Sequence, residues 1–306
     1  MDTKKIRKSI PRFFGWIAII VCFSIVKLIP SRWLYGLADQ LSALGYTLAL
    51  KQRKLAQESL NIAFGTDKTK AEIETIAKDS FTYMVKSGFE LIFMTDKPEL
   101  LKKRIGFKGK EYLDAALKEG RGVILVSAHF GNFPLMLSRL SQEGLKVAGI
   151  MRPMRDSRVE KIFLEKREKF KVRTIYSQPR NTCVDTTIKA LRQNEVVFIP
   201  IDQNFGTAGV FVDFFGQKAA TATGPIIFAQ RTKAKLVPCF IVRQPDDTHK
   251  IIFEPAMEIE EGRSPSETIK INIQRLTNII ENYIRQYPAE WSWIHRRWKT
   301  KPKEDK

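Results

Sequence analysis

Apolar positions change their period along this chain, and the changes predict its elements. Over residues 31–94 they recur at three- and four-residue spacing, which is the signature of helices. Ser31 reads as the N-cap of the first, a second closes at Gly65, and a long amphipathic run covers 70–94. Residues 98–120 read as a short connecting stretch. From 122 onward, apolar β-branched runs alternate with helical ones. Strands are predicted over 123–128, 146–152, 172–177, 196–202, 235–243 and 250–259, with helical spacing up to Leu140 and over 157–170, 182–193 and 265–287. Strands separated by helices need crossover connections. The predicted fold is therefore α/β, with a mostly parallel central sheet flanked by helices. No internal repeat and no low-complexity linker interrupts it.

The first thirty residues follow another pattern. Lys4, Lys5, Arg7, Lys8 and Arg12 precede an apolar run over 13–26, and Lys27 and Pro30 follow it. The run approaches the shortest length that crosses a bilayer. A basic flank before a short apolar segment also describes a signal peptide, but no small-x-small cleavage site follows. A core helix is a further option. We read 1–30 as a membrane-anchoring helix and 31–306 as one domain, with a helical lead-in over 31–100 and an α/β core over 101–306. Arg32, Lys51, Arg53 and Lys54 lie beyond the run, so the positive-inside rule gives conflicting orientations. A shallow or re-entrant helix escapes that conflict, with Trp16 and Trp33 as interface anchors.

Composition adds a strong charge. The chain holds 52 Lys and Arg against 33 Asp and Glu, a formal +19. Such a surface attracts nucleic acid, an anionic membrane, or an acidic protein or substrate. Zinc-ligand spacing, RNP-like aromatics and an uninterrupted basic tail are all missing, so nucleic acid is not the expected partner. Cys22, Cys183 and Cys239 are far apart in apolar company, which fits neither a disulfide framework nor a metal site and suggests a reducing compartment.

Three predicted strands end in chemistry: His129, Arg152 and Asp202, each followed by turn residues. Open α/β sheets place ligands at the carboxyl ends of parallel strands. A general base, a cation for an oxyanion or phosphate, and a carboxylate orienting the histidine suit acyl or phosphoryl transfer. The plainer alternative is three separate strand caps with local salt bridges. No Gly-x-Ser-x-Gly elbow occurs and Ser127 lies within its strand, so direct transfer to a hydroxyl activated by His129 is expected. After Asp202 and Gln203, glycines bracket Phe211 and Phe214. This segment is expected either to wall a greasy acyl channel or to form a β-hairpin with a core aromatic cluster. Arg152, Arg155 and Arg158 suit substrate anions or local ion pairs. Trp291, Trp293, His295, Arg296 and Trp298 suit a membrane interface or the core; for the tryptophans the core is favoured, because they close a long amphipathic helix.

The segment from Ser127 through His129, Gly131 and Asn132 to Phe133, the Arg152–Pro153 pair, Asp202–Gln203 with the Gly209 to Gly216 segment, and Thr223–Gly224–Pro225 together resemble the bacterial lipid A late acyltransferases (lauroyl/myristoyl acyltransferases) of the wider lysophospholipid acyltransferase group. The resemblance runs from the N-terminal apolar helix to the Trp-rich end. It implies an inner-membrane enzyme whose site faces the cytosol. A fatty acyl group would pass from acyl carrier protein to a 3-hydroxyacyl oxygen of a lipid A precursor, with His129 as general base and no cofactor or metal. Acyl carrier protein, the lipid acceptor and anionic membrane lipids are the implied partners. One position departs from the pattern: the acid expected five residues after the histidine is Pro134. Either another carboxylate supports His129, Asp202 first and Glu90 second, or the member is weakened, altered in acceptor or not an acyltransferase; Asn132 could orient the ring but supplies no charge. Asn132, Arg152, Gln203, Phe211 and Phe214 form the expected substrate-binding set. The alternatives are another glycolipid or lysophospholipid acceptor, or an inactive lipid-binding or scaffold member.

Overall fold

Helical spacing ahead of the sheet builds α1 (Thr3–Leu28), α2 (Ser31–Leu48), α3 (Leu50–Phe64), α4 (Lys70–Met94) and α5 (Pro98–Arg104). The computed structural model describes residues 3–94 and 96–302. The side chains of 3–12, 14 and 18 are outside the described ones, and with them the basic group from Lys4 to Arg12. α2 buries Leu34, Ala38, Ser42 and Tyr46 at four-residue spacing along α4. Its cap is Pro30 rather than Ser31, which is the first helical residue.

Opposite faces of α1 and α2 stay open. Phe13, Ile17, Ile20, Val21, Ile25 and Leu28 on α1, and Trp33, Leu41, Leu44 and Leu48 on α2, are exposed apolar side chains. Among the described residues no helix is long and apolar enough to cross a membrane. The apolar run of α1 ends at Lys27, short of the roughly 20 residues a crossing needs.

The sheet follows, through β1 (Ile105–Lys108), α6 (Lys110–Lys118), β2 (Val123–Ser127), α7 (Phe133–Gln142), β3 (Val147–Met151), α8 (Ser157–Lys169), β4 (Val172–Tyr176), α9 (Arg180–Arg192), β5 (Val196–Pro200), β6 (Val210–Phe214), β7 (Gln217–Thr221), α10 (Gly224–Thr232), β8 (Lys235–Arg243), β9 (His249–Phe253) and α11 (Pro265–Gln286). The stretch 98–120, expected to be a connection, thus holds α5, the edge strand β1 and α6. Four residues of strand are too few for a periodic signal. Strand order is β1-β9-β8-β2-β5-β3-β4, and β6–β7 form a separate antiparallel hairpin. β8, β2, β5, β3 and β4 run parallel, while β9 pairs antiparallel with β8 and parallel with β1. The α/β expectation with a mostly parallel sheet holds.

Central strands are apolar throughout because both faces are covered. Ile124 and Val126 of β2 face one core with Phe240, Leu276 and Trp291, and Val123 and Leu125 face the other with Leu137, Phe198 and Val237. Trp291, Trp293 and Trp298 are all buried, as the core reading expected.

Candidate active site

Parallel pairing of β2 with β5 places Ser127 opposite Pro200. Two residues further along each strand, His129 and Asp202 leave the sheet side by side. The chain then turns at Gly131, whose φ is +55°, and a Cβ there would overlap the Ile241 carbonyl oxygen. Glycine is required by both the backbone angle and the close approach. Asn132 holds the N-cap position of α7 without a side-chain capping bond, and Pro134 stands in the helix's first turn, where a missing N–H costs nothing.

Asp202 Oδ1 lies 2.8 Å from His129 Nδ1, and Oδ2 accepts the His129 backbone N–H at 2.9 Å. The indole Nε1 of Trp291 donates to the same Oδ2 at 2.7 Å. A carboxylate can only accept, so the proton sits on Nδ1 and leaves Nε2 as the basic nitrogen. Burial pulls the imidazole pKa down, but the Asp202 charge and hydrogen bond outweigh it, and His129 titrates above its ordinary value. Burial likewise pushes Asp202 up; His129, the indole and the backbone N–H reverse this and hold it well below the usual carboxylate range. The Asp202 side chain is 2% exposed and that of His129 30%, so the pair is dry on one side and open on the other.

The open side is a cleft of about 290 Å³ between α4 and the C-terminal segment. His129, Phe133 and Pro134 form one wall, Met84 and Leu91 of α4 another, and Trp293 and Ile294 a third. Phe133 meets the imidazole edge-on at 5.5 Å and stacks on Phe198 at 5.4 Å, which fixes the ring's surroundings. This arrangement presents an oriented imidazole, basic at Nε2 in its neutral form, to a cleft of mixed apolar and polar lining. It can take a proton from a hydroxyl held there. Among the described residues, no cluster of three or more His, Cys, Asp and Glu side chains could hold a metal ion.

The remaining sequence-predicted residues fall elsewhere. Asn132 lines the cleft, but its amide donates to the Ser87 carbonyl and to Glu90 Oε2, both at 3.0 Å, and so does not orient the imidazole. Glu90 does not support His129 either. It is fully buried, with Arg243 at 2.6 and 2.9 Å, His249 at 3.0 Å and the Tyr35 hydroxyl at 3.0 Å. Arg152 is exposed past the end of β3 and does not line the cleft, because β5 lies between β3 and β2. The expected convergence of three strand ends is thus a convergence of two. Gln203 is exposed, and its backbone carbonyl accepts from Arg297 at 3.2 Å.

The acyl-channel reading of 202–216 is also corrected. Val210–Phe214 and Gln217–Thr221 form the hairpin that was the plainer alternative, and it packs on α11. Phe214 is buried between Trp298 at 5.6 Å and Trp291 at 5.7 Å, and Phe211 is half-buried on the hairpin. Neither lines the cleft. Arg297 ties the hairpin down through the Ala220 carbonyl at 2.6 Å and the Thr221 hydroxyl at 2.5 Å.

Two site residues escaped the sequence reading. Trp291 was assigned to the core without its hydrogen bond, although a buried indole N–H needs an acceptor. Glu290 lines the cleft from the same segment, and nothing in its local pattern marks it.

The family profile described as "Bacterial lipid A biosynthesis acyltransferase" matches residues 1–300 of this chain. A lipid A biosynthesis acyltransferase of Haemophilus influenzae is 26% identical over 93% of this chain and 87% of its own length. A lipid A biosynthesis lauroyltransferase of Escherichia coli is 24% identical over 95% of this chain and 94% of its own. A phosphatidylinositol mannoside acyltransferase of Mycobacterium tuberculosis is 26% identical over 62% of this chain and 58% of its own. The solved 1-acyl-sn-glycerophosphate acyltransferase of Thermotoga maritima aligns with 84% of this chain and 97% of its own, at 11% identity and a TM-score of 0.37.

Proposed function

The chain belongs to the bacterial lipid A biosynthesis acyltransferase family, and from that premise we propose that it moves a fatty acyl group from acyl carrier protein to a hydroxyl of a lipid A precursor, with His129 as general base. One observation carries the mechanism: His129 lines the cleft, and buried Asp202 holds its Nδ1 from behind at 2.8 Å. Asp202 holds Nδ1 protonated and stabilises the imidazolium that forms when Nε2 takes the acceptor proton. The oxygen then attacks the acyl carbonyl directly. Asp202 thereby does the work of the acid that Pro134 replaces.

The excess positive charge suits an acidic carrier protein and the phosphates of a lipid A precursor, and attraction to both weakens with salt. We place the enzyme at the cytoplasmic face of the inner membrane. The exposed apolar stripes of α1 and α2 support a helical pair lying in the interface, where a stripe of this kind binds without crossing. The mannoside acyltransferase relative favours a second acceptor class, another glycolipid.

The test is purified protein with acyl-carrier-protein thioesters and, in separate arms, a lipid A precursor and other glycolipids or lysophospholipids. Acylated lipid A precursor from wild type and none from His129→Ala is the expected result. Transfer only to another lipid overturns the acceptor. Transfer to no lipid, or turnover surviving in His129→Ala, overturns the mechanism.

A further inference from the structure

Among the described residues, Glu290 is the only carboxyl-bearing one that lines the cleft. It is 8% exposed. Its Oε1 accepts the Arg243 backbone N–H at 2.7 Å, while Oε2 is buried with no partner. The backbone around it is laced to the turn that carries the base. The Glu290 carbonyl accepts the Gly131 N–H at 2.8 Å, and the Ser292 N–H donates to the His129 carbonyl at 3.3 Å. Glu290 is therefore held across from His129 by the same antiparallel pairing that brings Trp291 to Asp202.

An ionised, unpaired oxygen in such a place is costly. The neutral acid avoids that cost but leaves an O–H with no protein acceptor, beside a cleft that a substrate must fill. We propose that Glu290 acts as a neutral acid, its Oε2 O–H donating a hydrogen bond to the carbonyl oxygen of the bound acyl thioester, and is a catalytic residue of the transfer. This rests on the acyl-transfer reading of the cleft.

The charged and titratable groups around Glu290 are consistent with a neutral form. Glu90 and Tyr83 face it from α4, Arg243 from β8, and Asp247 from the turn beyond. The Arg243 guanidinium is already taken by Glu90 at 2.6 and 2.9 Å and by Asp247 at 3.1 Å. Burial accordingly dominates; with Glu90 and Asp247 adding to it and Arg243 opposing, the Glu290 carboxyl is pushed up to about 7.

The step balances as follows. The acceptor hydroxyl gives its proton to His129 Nε2, its oxygen bonds the acyl carbon, and the carbonyl electron pair moves onto oxygen. That oxyanion takes the Glu290 hydrogen bond. Collapse restores C=O and breaks the C–S bond, and the His129 proton goes to the leaving thiolate. Glu290 keeps its own proton throughout, so it stabilises developing charge as an oxyanion-hole donor does.

The experiment measures kcat/KM from about pH 5.5 to about pH 9 for wild type, Glu290→Gln, Glu290→Leu and His129→Ala. Gln keeps an oxygen for the Arg243 N–H and an N–H for the substrate, yet does not titrate. Wild type should lose activity as pH rises through about 7, the Glu290 value, and Glu290→Gln should lack that loss while falling up to about tenfold at its maximum. Glu290→Leu should fall by about 10²–10³ in kcat, the effect of removing one oxyanion donor. An alkaline decline unchanged in Glu290→Gln overturns the proposal, whether or not Glu290→Leu folds. Failure of the wider reading looks different: wild type is then inactive, or His129→Ala is as active as wild type.

Discussion

Trp291 Nε1 stands 2.7 Å from Asp202 Oδ2, the carboxylate whose other oxygen holds the His129 ring. The two residues are 89 positions apart. The segment after α11 thus completes the site from outside the sheet, and it bridges to the turn after β2 through Phe130 and Trp291.

Replacing Trp291 with Phe keeps most of the ring packing against Phe214 and Trp298 but removes the donor. Loss of a hydrogen bond to a buried carboxylate costs about 1–3 kcal/mol. Urea unfolding of Trp291→Phe should show a midpoint lowered accordingly, with acyl transfer reduced but measurable.

Asp202→Asn should be nearly as damaging as His129→Ala, because the amide offers no charge to the imidazolium and can favour the wrong tautomer. A loss of about 10²–10⁴ in kcat is expected by comparison with other dyads. The pH profile has a defined sign. Asp202 raises His129, and only the neutral imidazole is a base, so the acid-side limb of a bell-shaped wild-type profile, whose alkaline limb is the Glu290 decline, lies above where an ordinary imidazole would put it. In Asp202→Asn that acid-side limb should move to lower pH, as kcat/KM against pH will read.

Pro134→Glu puts an acid back at the family position, in the first turn of α7 where a carboxylate suits the helix dipole. Nδ1 of His129 is already occupied by Asp202. Turnover should therefore change by less than about tenfold, or ~1.4 kcal/mol in barrier. A large gain would mean that Asp202 is a poor substitute.

Arg243→Met tests the buried network behind the cleft. Glu90 would keep His249, Tyr35 and Asn132 but lose its strongest counter-charge. Breaking one side of such a pair costs about 3–5 kcal/mol. Denaturant melts should show it, and Glu90→Gln in the same background should recover part of the loss.

Val21→Asp combined with Leu44→Asp places charges on the exposed stripes of α1 and α2 without touching the cores. Sedimentation with vesicles containing anionic lipid should show weaker binding at an unchanged melting temperature. Equal binding by the variant would remove these faces from the membrane contact.

Local pattern was a good guide to the elements and a partial one to the site. Helical spacing marked α4, and continuous apolar β-branched runs marked β8 and the central strands, because the first reflects side-chain direction along one element and the second burial on both faces. β1 was missed because four residues carry little periodicity. His129 and Asp202 were legible as polar groups ending apolar strands. Arg152 carried the same local signal and stands in solvent, because strand order, which no single strand encodes, inserts β5 between β3 and β2. Phe211 and Phe214 looked like an acyl wall, but their place was decided by packing on α11 and by the Arg297 clamp.

The amino-acid order alone determined an α/β chain with a histidine and a carboxylate at strand ends, a family motif without its usual acid, and a basic surface. Those properties are written in nearest neighbours and in charge. Tertiary structure decided that Ser127 faces Pro200, so that Asp202 reaches His129, and that Trp291 and Glu290 return to frame them. Register and long-range closure depend on which surfaces bury one another, and that is a property of the whole fold.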